Sequence, residues 1–385
     1  MKVLILSCNN GGGHNAVAQA LKEEFESHGD FCTVVDALSF LPAGWSKLAS
    51  DTHSFVYRNC PKLFRRGYQH AEEHRVRFTY HHSISNLMSL GVRRLGGYLY
   101  DTDYDVAICT NVFAGILLSL TCQKYNLSLT TGIVETDYTA TPGAEACILD
   151  WHFVPSRACV RELGKLGVPE KHIVATGIPV RKQFETEVST KTALRELGLP
   201  DGTKHIVLAC GSMGCGPMKE IVDAMILRMI SGEVLSVVCG CNDKRREQFA
   251  QQYKELSNVN VVGRVKDMSL LLDSAAVYMT KPGGISTTEA AVKGVPMVLI
   301  NAVGGCEQYN LDCFVNGGGA LSASGIAEIA DTALSVARDE HLHLAMCESL
   351  RRLSVPNASS VIIRIVREDV ERRQQSFKML EAYEK

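Results

Sequence analysis

The stretch 280–310 concentrates residue types that hold phosphate and sugar. An apolar run at 276–279 leads into Lys281-Pro282-Gly283-Gly284, and the sequence predicts a helix opening near Ser286. The first turn of such a helix carries N–H groups without intrahelical acceptors and the positive end of the helix dipole. An anion is therefore favoured above it, with the hydroxyls of Ser286 and Thr287 as further donors. One turn further on, the Glu289 carboxylate can accept hydrogen bonds from both hydroxyls of a ribose. Phosphate and ribose together make a nucleotide. The start of the chain repeats the device: an apolar run at 3–7, then Gly11-Gly12-Gly13, then His14 at the head of a helix expected over 15–28. The glycines let the chain turn where a Cβ would clash, and a helix that opens at the C-terminal end of a strand lies on the ligand edge of an open α/β sheet. A tight turn with a surface histidine is the plainer reading of the second motif; two such turns in two halves of one chain favour a shared cleft.

A third glycine cluster, Gly211-Ser212-Met213-Gly214-Cys215-Gly216, follows an apolar run at 205–210 and precedes a helix starting at Pro217, so its amides suit a diphosphate. It lacks the Gly-Lys-Ser/Thr ending of a Walker loop and the spacing of the dinucleotide fingerprint. If a hydroxyl has to lose a proton, His14 has the right side-chain chemistry near neutral pH, and Asp137, after the run 129–134, is the second candidate or the group that orients His14 or the acceptor. Two other clusters read as non-functional. Asp101-Thr102-Asp103 precedes a strand and so faces the wrong sheet edge for metal-assisted transfer, and the His70, Glu73 and His74 spacing of an inverted zincin sits in polar, basic surroundings that suit a solvated face. No metal is expected: leaving-group charge is met by helix N-termini and amides.

With 385 residues, 46% hydrophobic and 21% charged, the chain can bury more than one core. A net charge of −2 gives no global attraction to nucleic acid, and none is expected as a partner. No apolar run approaches a spanning helix, residues 1–6 are too short for a signal peptide, and the fourteen cysteines show no Cys-x-x-Cys pair or small-domain framework. Buried, reduced thiols in a cytoplasmic protein follow.

Apolar runs alternate with amphipathic stretches at 3–7, 32–36, 105–109, 129–134, 151–155 and 173–176, and again at 205–210, 235–239, 259–262, 276–279, 297–300 and 320–321. That is the rhythm of an α/β chain with two doubly wound parallel-sheet domains. The expected division is 1–178, 179–357 and a C-terminal helix in 358–385, of which about 358–373 is strongly helical, with a hinge near 177–181. Residues 44–100 break the rhythm. They hold Arg58, Lys62, Arg65, Arg66, Arg75, Arg77, Arg93 and Arg94 among Trp45, Phe55, Tyr57, Phe64, Tyr68, Phe78 and Tyr80, opposed only by Asp51, Glu72 and Glu73. A helical insertion of this kind suits an anionic bilayer surface, with Arg65, Arg66, Arg75 and Arg77 as the docking cations; an ordinary helical insertion with a solvated basic face is the alternative.

The Gly11-Gly12-Gly13-His14 turn with Ala16, Ala18, Ala20 and Leu21, then Thr136-Asp137-Tyr138, Thr176-Gly177-Ile178-Pro179-Val180, and Lys281-Pro282-Gly283-Gly284 with Glu289 occur in this order in one known family. Over about residues 1–350 the chain resembles the monogalactosyldiacylglycerol synthase and processive diacylglycerol glucosyltransferase family, and more distantly the MurG glycosyltransferases. The resemblance implies the GT-B architecture, in which two Rossmann-like domains face a cleft and the last helix crosses back to the first. It implies a UDP-sugar donor site: Arg264 and Val265 meet the uracil through the main chain, and Glu289 the ribose. Ser286 and Thr287 meet the phosphates, and Glu307, Gln308 and Asn310 the sugar hydroxyls. Gly13, Gly211, Ser212, Met213, Gly214, Lys281, Pro282, Gly283 and Gly284 complete that site. It implies an inverting transfer of a hexose to a lipid acceptor, diacylglycerol, by an enzyme peripheral to the inner face of the cell membrane. The rivals are N-acetylglucosamine transfer to a polyprenyl-linked precursor, a UDP-sugar epimerase, and a regulatory protein that keeps the donor site without turnover. Two departures stand out. Thr139-Ala140-Thr141-Pro142-Gly143 replaces a segment where the family commonly has histidine and tryptophan, and Cys306 stands where a glutamine is common. Which hexose is moved, processivity and oligomeric state stay open.

Overall fold

The computed structural model describes residues 1–8, 12–44, 60–79, 82–211, 214, 216–300, 302 and 304–383, without the side chains of residues 61, 76, 77, 377 and 380–383. The chain divides into two compact units, Met1–Lys182 with Asn357–Lys385, and Gln183–Pro356. Each is built on a six-stranded parallel sheet.

In the first unit the strands are β1 (Lys2–Ser7), β2 (Phe31–Asp36), β3 (Val106–Cys109), β4 (Thr130–Val134), β5 (Trp151–Val154) and β6 (Ile173–Ala175), in the order β2-β1-β3-β4-β5-β6. Every residue of β3 and β4 is buried, as expected for parallel strands covered by helices on both faces, and this explains why they read as unbroken apolar runs. The helices are α1 (Gly12–Ser27), α2 (Pro61–Glu73), α3 (Ser83–Ser89), α4 (Val92–Thr102), α5 (Val112–Tyr125) and α6 (Arg157–Lys165). Leu4, Leu6, Leu95, Leu117 and Ile133 lie in its core. Among the described residues, 60–102 is helical with no strand. Trp45, Asp51, Phe55, Tyr57, Arg58 and Tyr80 lie outside the described residues.

The second unit has β7 (Lys204–Ala209), β8 (Glu233–Val238), β9 (Val259–Val262), β10 (Ala275–Thr280), β11 (Met297–Leu299) and β12 (Ala320–Ser322), in the order β12-β11-β10-β7-β8-β9. Its longer helices are α7 (Thr190–Glu196), α8 (Met218–Ile226), α9 (Asp243–Gln252), α10 (Met268–Ser274), α11 (Gly284–Lys293), α12 (Cys306–Asn316), α13 (Ile326–Arg338) and α14 (Glu340–Leu353). Ile206, Leu208, Val237, Met279 and Leu334 pack in the centre of this unit.

The last helix, α15 (Ala358–Tyr383), runs ten residues beyond the strongly helical stretch read from sequence and packs on α1 and β4 of the first unit. Polar contacts fix its register. The Thr130 hydroxyl donates to Asp369 at 2.9 Å, Arg373 reaches Asp369 at 2.8 Å and Asp150 at 2.5 Å, and Arg367 reaches Asp30 at 2.7 Å. Asp30 also takes the Met1 ammonium at 2.7 Å. Every described cysteine is a free thiol.

A fully buried histidine in each unit, away from the candidate sites, is kept neutral by burial. His205 lies between the hydroxyls of Ser274 and Ser236, both 2.7 Å away, and its pKa falls from 6.5 to about 4; His152 on β5 is lowered to about 4 for the same reason. Unfolded, both rings take up protons below about 6.5; folded, only below about 4. The unfolded chain therefore binds more protons in that window. The stabilisation is complete above about pH 6.5 and is lost as pH falls toward 4, with each shift equivalent to about 3 kcal/mol. Urea midpoints should fall between about pH 7 and 5, and His205→Gln should flatten that slope; a variant with the parental slope contradicts this assignment.

Candidate active site

In an open α/β sheet, ligands bind beyond the carboxyl ends of the strands, where the strand order reverses. In the first sheet the reversal lies between β1 and β3, and in the second between β7 and β10. His14 follows β1 and Thr110-Asn111 follow β3, while the Gly211–Gly216 loop follows β7 and Lys281–Gly284 follows β10. Both candidate sites thus occupy the switch point of their own sheet.

His14 stands in the first turn of α1, half-buried. Asn111 caps α5: its Oδ1 accepts from the Phe113 amide at 2.9 Å. That bond fixes the amide orientation, so Nδ2 is the atom turned toward His14 Nε2, 3.1 Å away, and it donates there. Nδ1 must then carry the ring proton, which it donates to the Thr110 carbonyl at 2.6 Å with Thr136 Oγ1 at 3.2 Å. The imidazole is held from both sides in one tautomer. Burial lowers the His14 pKa, opposed by the negative charge of Asp137 and by the Thr110 carbonyl. The ring is neutral at pH 7, the state a general base needs.

Asp137 lies on the segment after β4, half-buried and next to Thr136, whose hydroxyl donates to it at 3.5 Å. Three carboxylates pin this segment. Glu162 on α6 accepts from the Thr139 hydroxyl and the Ala140 amide, both at 3.0 Å. Glu135 accepts from the Thr141 hydroxyl at 2.8 Å, and burial raises its pKa to about 8, so it holds its proton at neutral pH. Glu145 accepts from the Gly143 amide at 3.2 Å and pairs with Arg75 at 2.9 Å.

That pair corrects the expectation for Arg75. It was read as a docking cation, but its guanidinium points inward, bridging Glu145 and the Ala140 carbonyl at 3.0 Å, because the turn Arg75–Phe78 packs against the segment. Phe78 sits where a Cβ on Gly143 would lie, 2.4 Å away, so only glycine fits there. Arg65 and Arg66 are exposed on α2, and the Arg77 side chain lies outside the described ones.

In the second unit α11 starts at Gly284, two residues earlier than expected, because Gly283 takes the extended cap conformation. The first-turn amides of Gly284, Ile285 and Ser286 have no intrahelical acceptor. Thr287 is corrected: it is fully buried, and its hydroxyl donates back to the Gly283 and Gly284 carbonyls at 2.9 and 3.1 Å instead of standing open to a ligand. Glu289 is half-buried beside the Tyr278 ring, whose hydroxyl burial holds well above its ordinary range. Asn310 is fully buried and donates to the Pro282 carbonyl at 3.0 Å, tying the first turns of α12 to the turn after β10. Glu307 is buried, whereas Gln308 is exposed and reaches Asp312 at 2.9 Å. Arg264 and Val265 follow β9 at the same sheet edge. Gly13 is half-buried in α1; Lys281 is buried after β10. Ser212 and Met213 lie outside the described residues. Gly211 and Gly214 flank them with φ of 73° and 55°, and a Cβ on Gly214 would meet the Cys239 carbonyl at 2.6 Å.

The two clusters read as non-functional remain away from these edges. Asp103 ends α4 at the N-terminal side of β3. His70, Glu73 and His74 bring their ligand atoms within 4.8 Å of one another, all on an exposed face of α2.

Residues 14–180 match the family model for monogalactosyldiacylglycerol (MGDG) synthase, and residues 219–352 match glycosyl transferases group 1. The first match falls within the first unit and the second within the second unit. It is 24% identical to the processive diacylglycerol beta-glucosyltransferase of Staphylococcus carnosus, covering 92% of this chain and 89% of that protein. The protein of the same name from Bacillus cytotoxicus is 26% identical over 96% of this chain and 94% of its own length. Among solved structures, MurG of Acinetobacter baumannii shares the fold with a TM-score of 0.62 at 14% identity, covering 95% of this chain and 99% of that one. UDP-GlcNAc 2-epimerase from Neisseria meningitidis has a TM-score of 0.62 at 14% identity, over 96% and 100%.

Within the MGDG synthase domain, sequence reading missed Thr110, Asn111 and Thr136 as the shell of His14. The signal was present: a capping residue directly after the buried strand beside β1. In the glycosyl transferase domain it missed Arg245 on α9, whose guanidinium holds the Gly214 and Gly216 carbonyls. The tautomer argument has a direct test. Asn111→Asp keeps an N-cap oxygen but offers His14 Nε2 an acceptor, which stabilises the imidazolium. In NMR titrations the His14 ring should titrate below 6.5 in the parent and move upward in the variant; an unmoved or lowered value would show that Asn111 does not face Nε2.

Proposed function

We propose that this protein transfers a hexose from a UDP-sugar to the hydroxyl of diacylglycerol, with inversion, while resting on the inner face of a membrane. The observation that carries the reading is a neutral, tautomer-locked His14 at the switch point of an MGDG synthase domain. The curated relatives named diacylglycerol glucosyltransferases support the acceptor class, and the Neisseria meningitidis epimerase, solved bound to UDP-GlcNAc, supports the donor.

The acceptor oxygen attacks the anomeric carbon, and the bond from that carbon to the UDP β-phosphate oxygen breaks. UDP departs with the electron pair, and the hydroxyl proton passes to His14 Nε2, the acceptor hydroxyl taking the place of the Asn111 amide on that nitrogen. Asp137 steadies the imidazolium that forms; its charge already favours that state. The first-turn amides of α11 would meet the charge on the leaving diphosphate, and Glu289 the ribose. Gly211, Gly214, Lys281, Pro282, Gly283, Gly284 and Ser286 form the donor's phosphate cradle in this reading, with Arg264 and Val265 at the base. Glu307 and Gln308 serve the sugar, and Asn310 serves as the tie beneath it.

UDP release should be measured with UDP-glucose, UDP-galactose and UDP-N-acetylglucosamine, with and without diacylglycerol. Acceptor-dependent release is expected. Release without acceptor, or none with any donor, overturns the reading. Two variants should separate the roles. His14→Ala should lower turnover by about 100-fold or more with UDP still bound, and Glu289→Ala should weaken UDP by about 1.5–3 kcal/mol in calorimetry with the fold intact.

Among the described residues no helix is long and apolar enough to cross a membrane. Docking therefore falls to the exposed face of α2, where Lys62, Leu63, Arg65 and Arg66 lie in one turn and a half. The protein should co-sediment with anionic vesicles and be released as salt rises. Lys62, Arg65 and Arg66 replaced together by Ser should abolish this with UDP affinity unchanged; equal sedimentation removes α2 as the docking face.

A further inference from the structure

A cavity of about 480 Å³ lies against α5 in the first unit, walled by Phe78, Ile116, Leu120, Ala146 and Ile148. From α5 it is lined by Ile116, Ser119, Leu120 and Gln123, the i, i+3, i+4, i+7 set that forms one helical face. The Ser119 hydroxyl donates to the Gly115 carbonyl at 2.7 Å, so its donor is already occupied. Counted from Asn111, which touches His14, these residues lie about 7 to 18 Å along the helix axis. The cavity is thus a mainly apolar trough along α5 whose near end begins between one and two helical turns beyond Asn111.

We propose that this cavity holds one acyl chain of the lipid acceptor, laid along α5 with its glycerol end toward Asn111 and His14. The inference rests on the reading of His14 as the base for a lipid hydroxyl. An aliphatic chain fits because apolar side chains supply most of the wall, with Thr79, Ser85 and Glu145 set among them, and every methylene buried against that surface leaves water. A sugar or nucleotide would find few groups to replace its hydrogen bonds to water. The source is a bilayer lipid, since Ile148, 68% exposed, lies at the trough and the wall residue Phe78 ends the turn that follows the basic helix α2. The chain is an uncharged ester. Glu145 lines the cavity with its side chain 10% exposed; Arg75 takes Oε2, while Oε1 has no hydrogen-bond partner. That carboxylate repels the head of a free fatty acid and not a glycerol ester.

The test uses the full chain with a pyrene-labelled long-chain diacylglycerol in neutral detergent micelles. Gln123→Trp narrows the trough from an exposed position and Ala146→Phe fills it from the wall. The parent should bind the probe saturably, and both variants at least about tenfold more weakly, with KM for long-chain diacylglycerol raised by a similar factor. Turnover of dibutyrylglycerol, too short to fill the trough, and UDP affinity should stay at the parental level. A long-chain free fatty acid should displace the probe less well than the matching monoacylglycerol. Parental probe affinity in a folded Gln123→Trp, or equal losses with short and long chains, overturns the proposal. Displacement by the fatty acid as strong as by the ester overturns its assignment to a neutral chain. If no diacylglycerol of either length accepts sugar while the probe binds the parent and not the variants, the catalytic reading fails and the acyl subsite stands.

Discussion

A parallel strand followed by a right-handed crossover sends its helix to one face of the sheet or the other according to where the next strand lies. After β1 the chain turns back to β2 on one side, and after β3 it goes on to β4 on the other. The two loops must part, and the gap between them is lined by whatever residues end those strands. The polar cluster around His14 follows from this constraint. His14 leaves β1, Thr110 and Asn111 leave β3, and the gap brings their polar atoms within hydrogen-bond distance. The second sheet meets the same constraint between β7 and β10, with glycine loops in place of the histidine.

The segment that carries Asp137 is held differently. A buried loop must find partners for its backbone and hydroxyl groups, and here three carboxylates supply them. Glu135 does so as a protonated acid, which lowers the cost of placing a carboxyl beside Asp137 and Glu145 in a buried site. Arg75 closes the arrangement from the helical insertion. The Thr139–Gly143 stretch is therefore a tightly bonded turn of small residues.

The central strands, such as β3, β4 and β11, were legible because strands buried on both faces show as short apolar runs, and the glycine turns were legible because positive φ and close backbone approach select glycine. What could not be read were the choices a side chain makes once several partners are within reach. Arg75 has the same composition signal as Arg65 and Arg66, and only the wedge of Phe78 against Gly143 turns it inward. Thr287 shares its hydroxyl with Ser286 in type, yet helix entry two residues earlier directs it to the carbonyls beneath.

The return of α15 to the first unit gives that unit a discontinuous sequence. Thr130 and Asp150, near β4 and β5, find their partners Asp369 and Arg373 more than two hundred residues later in the chain. On the ribosome the second unit is synthesised in full while this flank of the first unit still lacks its covering helix. Synthesis at about 5–20 residues per second leaves a window of roughly ten seconds or more in which a nearly complete domain exposes a helix-binding face. The order of folding events in the cell should thus run against the order of the domains: the unit begun first is the last to be finished.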